Sequence, residues 1–160
     1  MIFITTGSRS FQFNRLLEVI DKAIKNGDIT EEVFAQVGAS DYLIKNYKYK
    51  EYLNHDEFNE CLSKCDIVLT HGGTGVIVNS VKLGKKVVAV PRLAKYGEAI
   101  DDHQIQLVKA FSKMGMVIPC YECSTNQIIR AIETAKKTKF KLYHSNTQTI
   151  IDSIDDFIRG

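Results

Sequence analysis

Residues 66–91, DIVLTHGGTGVIVNSVKLGKKVVAVP, constrain the fold of this chain more than any other stretch. Asp66-Ile67-Val68-Leu69-Thr70 is a short, β-branched apolar run, too short for a helix, and reads as a buried strand. His71-Gly72-Gly73-Thr74-Gly75 breaks it with three glycines in five positions. From Val76 to Leu83 the larger apolar residues fall at 77, 78, 81 and 83, a helical face that Gly84 stops. Val87-Val88-Ala89-Val90-Pro91 is a second buried strand, ended by proline. Strand, glycine turn, helix and strand in that order make a βαβ unit, whose first loop lies where a parallel sheet ordinarily meets its ligand.

The chemistry open to such a loop is anion binding. Glycine lets backbone approach a ligand with no side chain in the way. The next helix opens with unpaired N–H groups and a partial positive charge, which together suit a diphosphate. Thr74 would cap that helix or bond a phosphate oxygen, and His71 would donate to the same group. A tight turn without a ligand accounts for HGGTG equally well on periodicity alone. No Gly-Lys-Ser/Thr follows, so the loop is not a P-loop, and GGTG lacks the third glycine of a dinucleotide fingerprint.

At 160 residues the chain has the size of one α/β domain. A hydrophobic content of 44% and a charged content of 25% describe a soluble globular protein. A net charge of +2 does not argue for a nucleic-acid reader, which needs a basic stripe. No apolar run approaches a membrane span, and Met1 leads straight into a strand, so a cytosolic chain is expected, held to a membrane only through a partner. The cysteines invite a metal or redox reading. Zinc would need Cys61, Cys65, Cys120 and Cys123 to converge, and a thioredoxin-like site would need the CxxC to open a helix near the first βαβ unit. Cys120 instead follows a strand, and reduced structural thiols are the simpler account.

Elsewhere, Ile2–Thr5 reads as the first strand, with Thr6-Gly7-Ser8-Arg9-Ser10 as its loop. Apolar positions 13, 16, 17, 20 and 24 mark a helix to Asn26, stopped by Gly27. The Gly7-Ser8 turn is a candidate second wall of the same crevice, with Arg9 and Arg15 either adding charge there or simply facing water. Val33–Val37 is the next strand. Tyrosines 42, 47, 49 and 52 alternate with lysines, which suits either base stacking or a half-buried strand, and Tyr49–Leu53 is read as the strand. Asp56–Lys64 is a short helix, and Arg92–Ile100 a polar loop. Asp101 or Asp102 caps a helix carrying apolar 105, 107, 108 and 111. Met116–Ile118 is a last strand and Thr125–Lys136 a helix. Lys136–Lys141 is a basic linker, solvated or set against anionic headgroups at about 1 kcal/mol per lysine. Ile150, Ile151, Ile154, Phe157 and Ile158 form an amphipathic stripe that must be buried.

Three separated motifs carry a resemblance. THGGTG with VKLGKKVVAVPR, then Tyr96-Gly97-Glu98 with Asp101-Asp102-His103-Gln104, and at the start IFITTGSRSFQFNRLL, resemble the C-terminal, nucleotide-sugar-binding half of family 28 glycosyltransferases. The likeness runs from Met1 to about Ile132. It is closest to the free-standing soluble subunit of split enzymes: the eukaryotic dolichol-linked N-acetylglucosaminyltransferase and the bacterial capsule and exopolysaccharide transferases.

The resemblance implies a doubly wound, mostly parallel, Rossmann-like α/β domain, one half of a GT-B glycosyltransferase. It implies a domain over 1–142 and a partner-docking helix over 143–160. The expected donor-binding set is Gly7, Ser8, His71, Gly72, Gly73, Thr74, Gly75, Asn79, Glu98, His103 and Gln104. The expected activity is inverting transfer from a UDP-sugar to a lipid-linked acceptor in capsule or exopolysaccharide synthesis. A membrane-associated partner would hold that acceptor and supply the general base, so the chain would sit in the cytoplasm, peripheral to the membrane. Neither cofactor nor metal is expected, since no Asp-x-Asp clamp occurs. One position departs from the family: the glutamate usual eight residues after the histidine is Asn79, as an accessory, non-catalytic subunit would allow. An unrelated phosphatase-like or redox α/β protein is the other alternative.

Overall fold

The computed structural model describes residues 1–140 and 147–159. In chain order the elements are β1 (Ile2–Thr5), α1 (Asn14–Lys25), β2 (Val33–Gln36), β3 (Lys48–Lys50), α2 (His55–Lys64), β4 (Ile67–Thr70), α3 (Thr74–Lys82), β5 (Lys86–Ala89), a 3-10 turn (Ala94–Tyr96), α4 (His103–Lys113), β6 (Ile118–Pro119), α5 (Thr125–Lys137) and α6 (Thr147–Arg159). The strands form one sheet in the order β3-β2-β1-β4-β5-β6, and every pairing is parallel.

Burial on both faces explains why β1, β4 and β5 read as unbroken apolar runs. Ile2 and Ile4 join one core with Leu16, Leu17 and Ile20 of α1 and Ile128 and Ile132 of α5. Phe3, pointing the other way by the two-residue strand period, joins a second core with Ile77 of α3 and Val108 and Phe111 of α4. Helices therefore cover both faces. After β3 the chain returns to pair β4 beside β1, so the strand order reverses between β1 and β4. Thr5 and Thr70 lie in register at the ends of those strands, and the Thr70 hydroxyl donates to the Thr5 carbonyl at 3.0 Å. That reversal opens the crevice described below.

Several local expectations are corrected. The strand expected over Tyr49–Leu53 is Lys48–Lys50, and it is exposed rather than half-buried. It lies at the sheet edge, paired only with β2. The tyrosines before it turn inward: the Tyr47 hydroxyl donates to the Leu17 carbonyl at 3.1 Å, and that of Tyr42 to Asp21 at 3.0 Å. Buried Asp21 also accepts the Asn46 amide at 2.8 Å, which pins this connection onto α1 with both tyrosines half-buried. The last strand is Ile118–Pro119, not Met116–Ile118; proline is tolerated because β6 is the other edge. The Arg92–Ile100 segment contains a 3-10 turn, ended by Gly97 at φ +68. Lys136 and Lys137 belong to α5, and Lys136 bridges Glu31 and Glu133 rather than only facing water.

The amphipathic stripe near the C-terminus does form a helix. α6 packs against α4, burying Ile154 in the second core with Ile158 beside it, while Phe157 stays 44% exposed. Lys141 and the 142/143 domain boundary lie outside the described residues. Among the described residues no helix is long and apolar enough to cross a membrane.

Candidate functional site

A crevice of about 810 Å3 opens at the C-terminal ends of β1 and β4. Every residue of the expected donor-binding set lines it: Gly7 and Ser8 on one wall, His71 to Gly75 and Asn79 on the next, and Glu98, His103 and Gln104 across the mouth. The crevice runs on to the start of α2, where Leu53, Asn54, His55, Phe58 and Asn59 line it.

The glycine loop leads into α3 without a side-chain cap. Gly73 holds the N-cap position at φ −76, ψ 123, and among the described residues no side chain bonds the first turn. Thr74 is thus the first helical residue, which removes the cap from the two roles the sequence allows it and leaves the bond to a phosphate oxygen. Among the described residues the amides of Gly73, Thr74, Gly75 and Val76 have no acceptor; Ile77 N, bonded to Gly73 O at 3.2 Å, is the first amide to find one. A helix start that lines a crevice with bare N–H groups is ready for an anion.

The glycines do different jobs. A Cβ on Gly7, which sits at φ +82, would fall 2.6 Å from His71 Nε2, and one on Gly73 would fall 2.1 Å from His71 Cε1. The imidazole therefore fits only because both residues lack a side chain. A Cβ on Gly72 would meet that of Gln104 at 2.9 Å, where α4 packs close. Among the described residues nothing lies within 4 Å of a Cβ on Gly75, so this glycine faces open crevice.

Gln104 proves to be an internal tie. Its Oε1 accepts from Gly72 N at 3.1 Å and Arg92 N at 2.9 Å, while its Nε2 stands 3.1 Å from His71 Nδ1. Burial, with the positive charge of Arg92 behind it, pushes the His71 pKa down to about 4, so the ring is neutral at physiological pH.

Glu98 is fully buried and held by Arg15, at 2.9 Å from Nε to Oε1 and 3.0 Å from Nη2 to Oε2, while Leu93 N donates to Oε2 at 2.9 Å. Arg15 thus neutralises Glu98 and, unlike Arg9, does not line the crevice as expected. Arg92, to which the sequence assigns no role, is 4% exposed and donates to the carbonyls of Thr6, Phe11, Gln12 and Glu98. Burial lowers its pKa to about 10, which still leaves it charged. It ties the first loop to the segment after β5; its position directly after the strand-ending proline is the sole sequence signal. Asp102 occupies the N-cap position of α4 but accepts from Ala94 N at 2.8 Å, and Asp101 takes His103 N at 3.0 Å. His103 is exposed at the crevice mouth.

The cysteines are free, and burial pushes Cys120 up to about 11 and Cys123 up to about 12. Thiols of that kind stay protonated at neutral pH and are poor redox nucleophiles. Among the described residues no cluster of three or more His, Cys, Asp or Glu side chains could hold a metal ion.

Fold and crevice together define a doubly wound α/β domain with an anion-ready loop at its switch point. The chain belongs to the glycosyltransferase family 28 C-terminal domain family, whose pattern matches residues 1–159. It is 32% identical over 82 residues to the UDP-N-acetylglucosamine transferase subunit ALG13 of Saccharomyces cerevisiae, a stretch covering 50% of this chain and 39% of that protein. It is 25% identical over 138 residues to the subunit of the same name from Homo sapiens, covering 74% of this chain and 11% of that one. The chain therefore spans well under half the length of these relatives. Among solved structures, the solution structure of ALG13 superposes with a TM-score of 0.65 at 17% identity, over 100% of this chain and 97% of that one. MurG of Acinetobacter baumannii superposes with a TM-score of 0.56 at 17% identity, over 99% of this chain and 44% of that one. At such identities the likeness is one of fold, and the fold is one half of the GT-B arrangement.

Proposed function

We propose that this domain binds a UDP-sugar and presents it to a lipid-linked acceptor held by a separate, membrane-associated subunit. The observation that carries the reading is the row of unpartnered amides at the start of α3, lining a crevice beside a neutral His71. A crevice of about 810 Å3 suits a nucleotide sugar, since ligand pockets run from about 300 to 1,000 Å3. The diphosphate would lie over Gly73–Val76, the ribose near Asn79 and the base toward Leu53 and Phe58. No metal is invoked: the amides, the helix dipole and the Arg9 guanidinium would meet the diphosphate charge.

In the transfer, the acceptor hydroxyl attacks the anomeric carbon from the face opposite the diphosphate. The bond from that carbon to the β-phosphate oxygen breaks, and uridine diphosphate leaves with inversion. The bare amides act on the charge that grows on the leaving oxygen, where preformed dipoles contribute most. Glu98 is committed to Arg15, and Asp101 to His103 N. We assign the general base to the partner.

UDP-N-acetylglucosamine is the donor we favour, because the matched relatives are UDP-N-acetylglucosamine transferase subunits. Those names lend no support to the capsule or exopolysaccharide setting. Partner docking is proposed for the outward face of α6, around Phe157, which would hold the domain at the membrane from the cytoplasmic side. A second reading, an accessory subunit that binds donor poorly, is favoured by one observation: Asn79 lines the crevice where the family usually places a glutamate.

The test is reconstitution with the membrane subunit and a panel of labelled UDP-sugars. Transfer from UDP-N-acetylglucosamine that needs both chains supports the proposal. Transfer that survives donor-site substitutions in this chain supports the accessory reading. Transfer by the partner alone, at the rate of the pair, overturns both.

A further inference from the structure

We propose that Gln104 is a positioning residue that holds His71 as its Nε2–H tautomer and so aims one N–H at the ligand space of the crevice. Three observations carry this. The orientation of the Gln104 amide is set by its oxygen, which accepts from two backbone amides, Gly72 at 3.1 Å and Arg92 at 2.9 Å. An oxygen so placed leaves the NH2 group toward His71 Nδ1, 3.1 Å away, and an NH2 group can only donate. Nδ1 must then be the acceptor, and in a neutral ring the proton sits on Nε2.

The third observation concerns where that proton goes. Among the described residues Nε2 has no partner, yet no buried side-chain nitrogen or oxygen lacks one, so Nε2 must be open to the crevice. It faces Gly7 on the opposite wall, where a Cβ would lie 2.6 Å from it. At Cε1 the ring fills the space that a side chain on Gly73 would take. One glutamine thus sets the loop amide of Gly72, the backbone after β5 and the tautomer of the histidine together. The charges around the ring are Arg92 from the end of β5 and Arg9 from the first loop, both disfavouring an imidazolium. Glu98, Asp101, His103 and His55 also line the crevice.

For a ligand this inference rests on the donor-site reading, and the experiment separates the two. The first arm is the ring-nitrogen spectrum of ligand-free, 15N-labelled full-length protein at pH 7. The Nε2–H tautomer is expected for His71; an Nδ1–H ring overturns the proposal whatever the protein binds. The second arm compares wild type with Gln104→Glu in calorimetric titrations with uridine diphosphate from pH 6 to pH 8. Glutamate keeps an oxygen for the Gly72 and Arg92 amides but cannot donate to Nδ1. At pH 8 it favours Nδ1–H, turning a bare Nε2 lone pair toward the diphosphate, and affinity should fall about tenfold relative to wild type. Toward pH 6 the glutamate favours the doubly protonated ring, which restores a donor at Nε2, so the deficit should shrink. Taking the ratio at each pH cancels the nucleotide's own titration. A ratio independent of pH overturns the positioning role. An Nε2–H ring in a protein with no affinity for uridine diphosphate leaves the positioning intact and refutes the donor reading instead.

Discussion

The guanidinium of Arg15 grips the Glu98 carboxylate with two nitrogens, 2.9 Å and 3.0 Å away, across 83 positions of sequence. The carboxylate is fully buried, and Arg15 also lies over the Tyr96 ring at 4.8 Å from guanidinium carbon to centroid. Removing one partner of such a pair strands the other, at a cost of about 3–5 kcal/mol. Arg15→Met should therefore lower the urea unfolding free energy by about that much. Glu98→Gln should cost less, because Arg15 keeps a neutral acceptor and the Pro91 carbonyl at 3.3 Å. Equal losses for both variants would mean that the pair contributes only through packing.

The glycine loop offers a substitution that separates fold from ligand binding. Gly75 faces open space within a helix, so Gly75→Ala should leave stability unchanged or raise it by up to about 1 kcal/mol. The same methyl group lines the crevice and should weaken uridine diphosphate several-fold. Gly73→Ala, by contrast, would drive a methyl into the His71 ring and should destabilise the protein outright. Thermal melts and nucleotide titrations on both variants check this. Undiminished nucleotide affinity in Gly75→Ala would place the ligand elsewhere.

The lowered pKa of His71 fixes the sign of a pH effect. The unfolded chain takes up a proton near pH 6.5 that the folded ring refuses until about 4. Stability from this group is therefore full above the unfolded value and is lost as pH falls from about 6.5 toward 4. Allowing for the ring's partial contact with solvent, the loss should be about 1–2 kcal/mol. His71→Gln should lack this component, so the difference between wild type and variant, measured by denaturation at pH 7 and pH 4.5, isolates it. A difference that does not change with pH would show an unperturbed histidine.

Which parts of this site the sequence reveals follows from the range of each interaction. The β4–HGGTG–α3–β5 unit is readable because strand burial, the glycine break and the helical period are all local. The Gln104 tie, the Arg15–Glu98 pair and the anchoring of four carbonyls by Arg92 are not, since each joins segments that only the folded sheet brings together. Thr74 is ambiguous in the sequence for a related reason: cap and first helical residue differ by one position, and only backbone geometry separates them. Tyr47 misleads differently, since its ring is half-buried against the core that α1 helps form while the strand beside it is bare.

Asn79 is exposed on α3 and lines the crevice, where the donor-site proposal puts the ribose. An amide offers one acceptor oxygen, while a carboxylate offers two and a charge. Asn79→Glu should tighten uridine diphosphate several-fold, in line with the step of about 1–2 kcal/mol from a neutral to a charged hydrogen bond. Unchanged or weaker binding by calorimetry would move the ribose away from α3.

The most direct test of the donor-site account is calorimetric titration of the chain with uridine diphosphate, with a chelator present, for wild type and Thr74→Ala. Among the described residues Thr74 has no side-chain hydrogen bond, so its loss should leave the melting temperature nearly unchanged. The account predicts saturable binding at about millimolar affinity or tighter without metal, weakened by Thr74→Ala at constant stability. No binding at millimolar nucleotide, or a Thr74→Ala variant that only melts earlier, would contradict it.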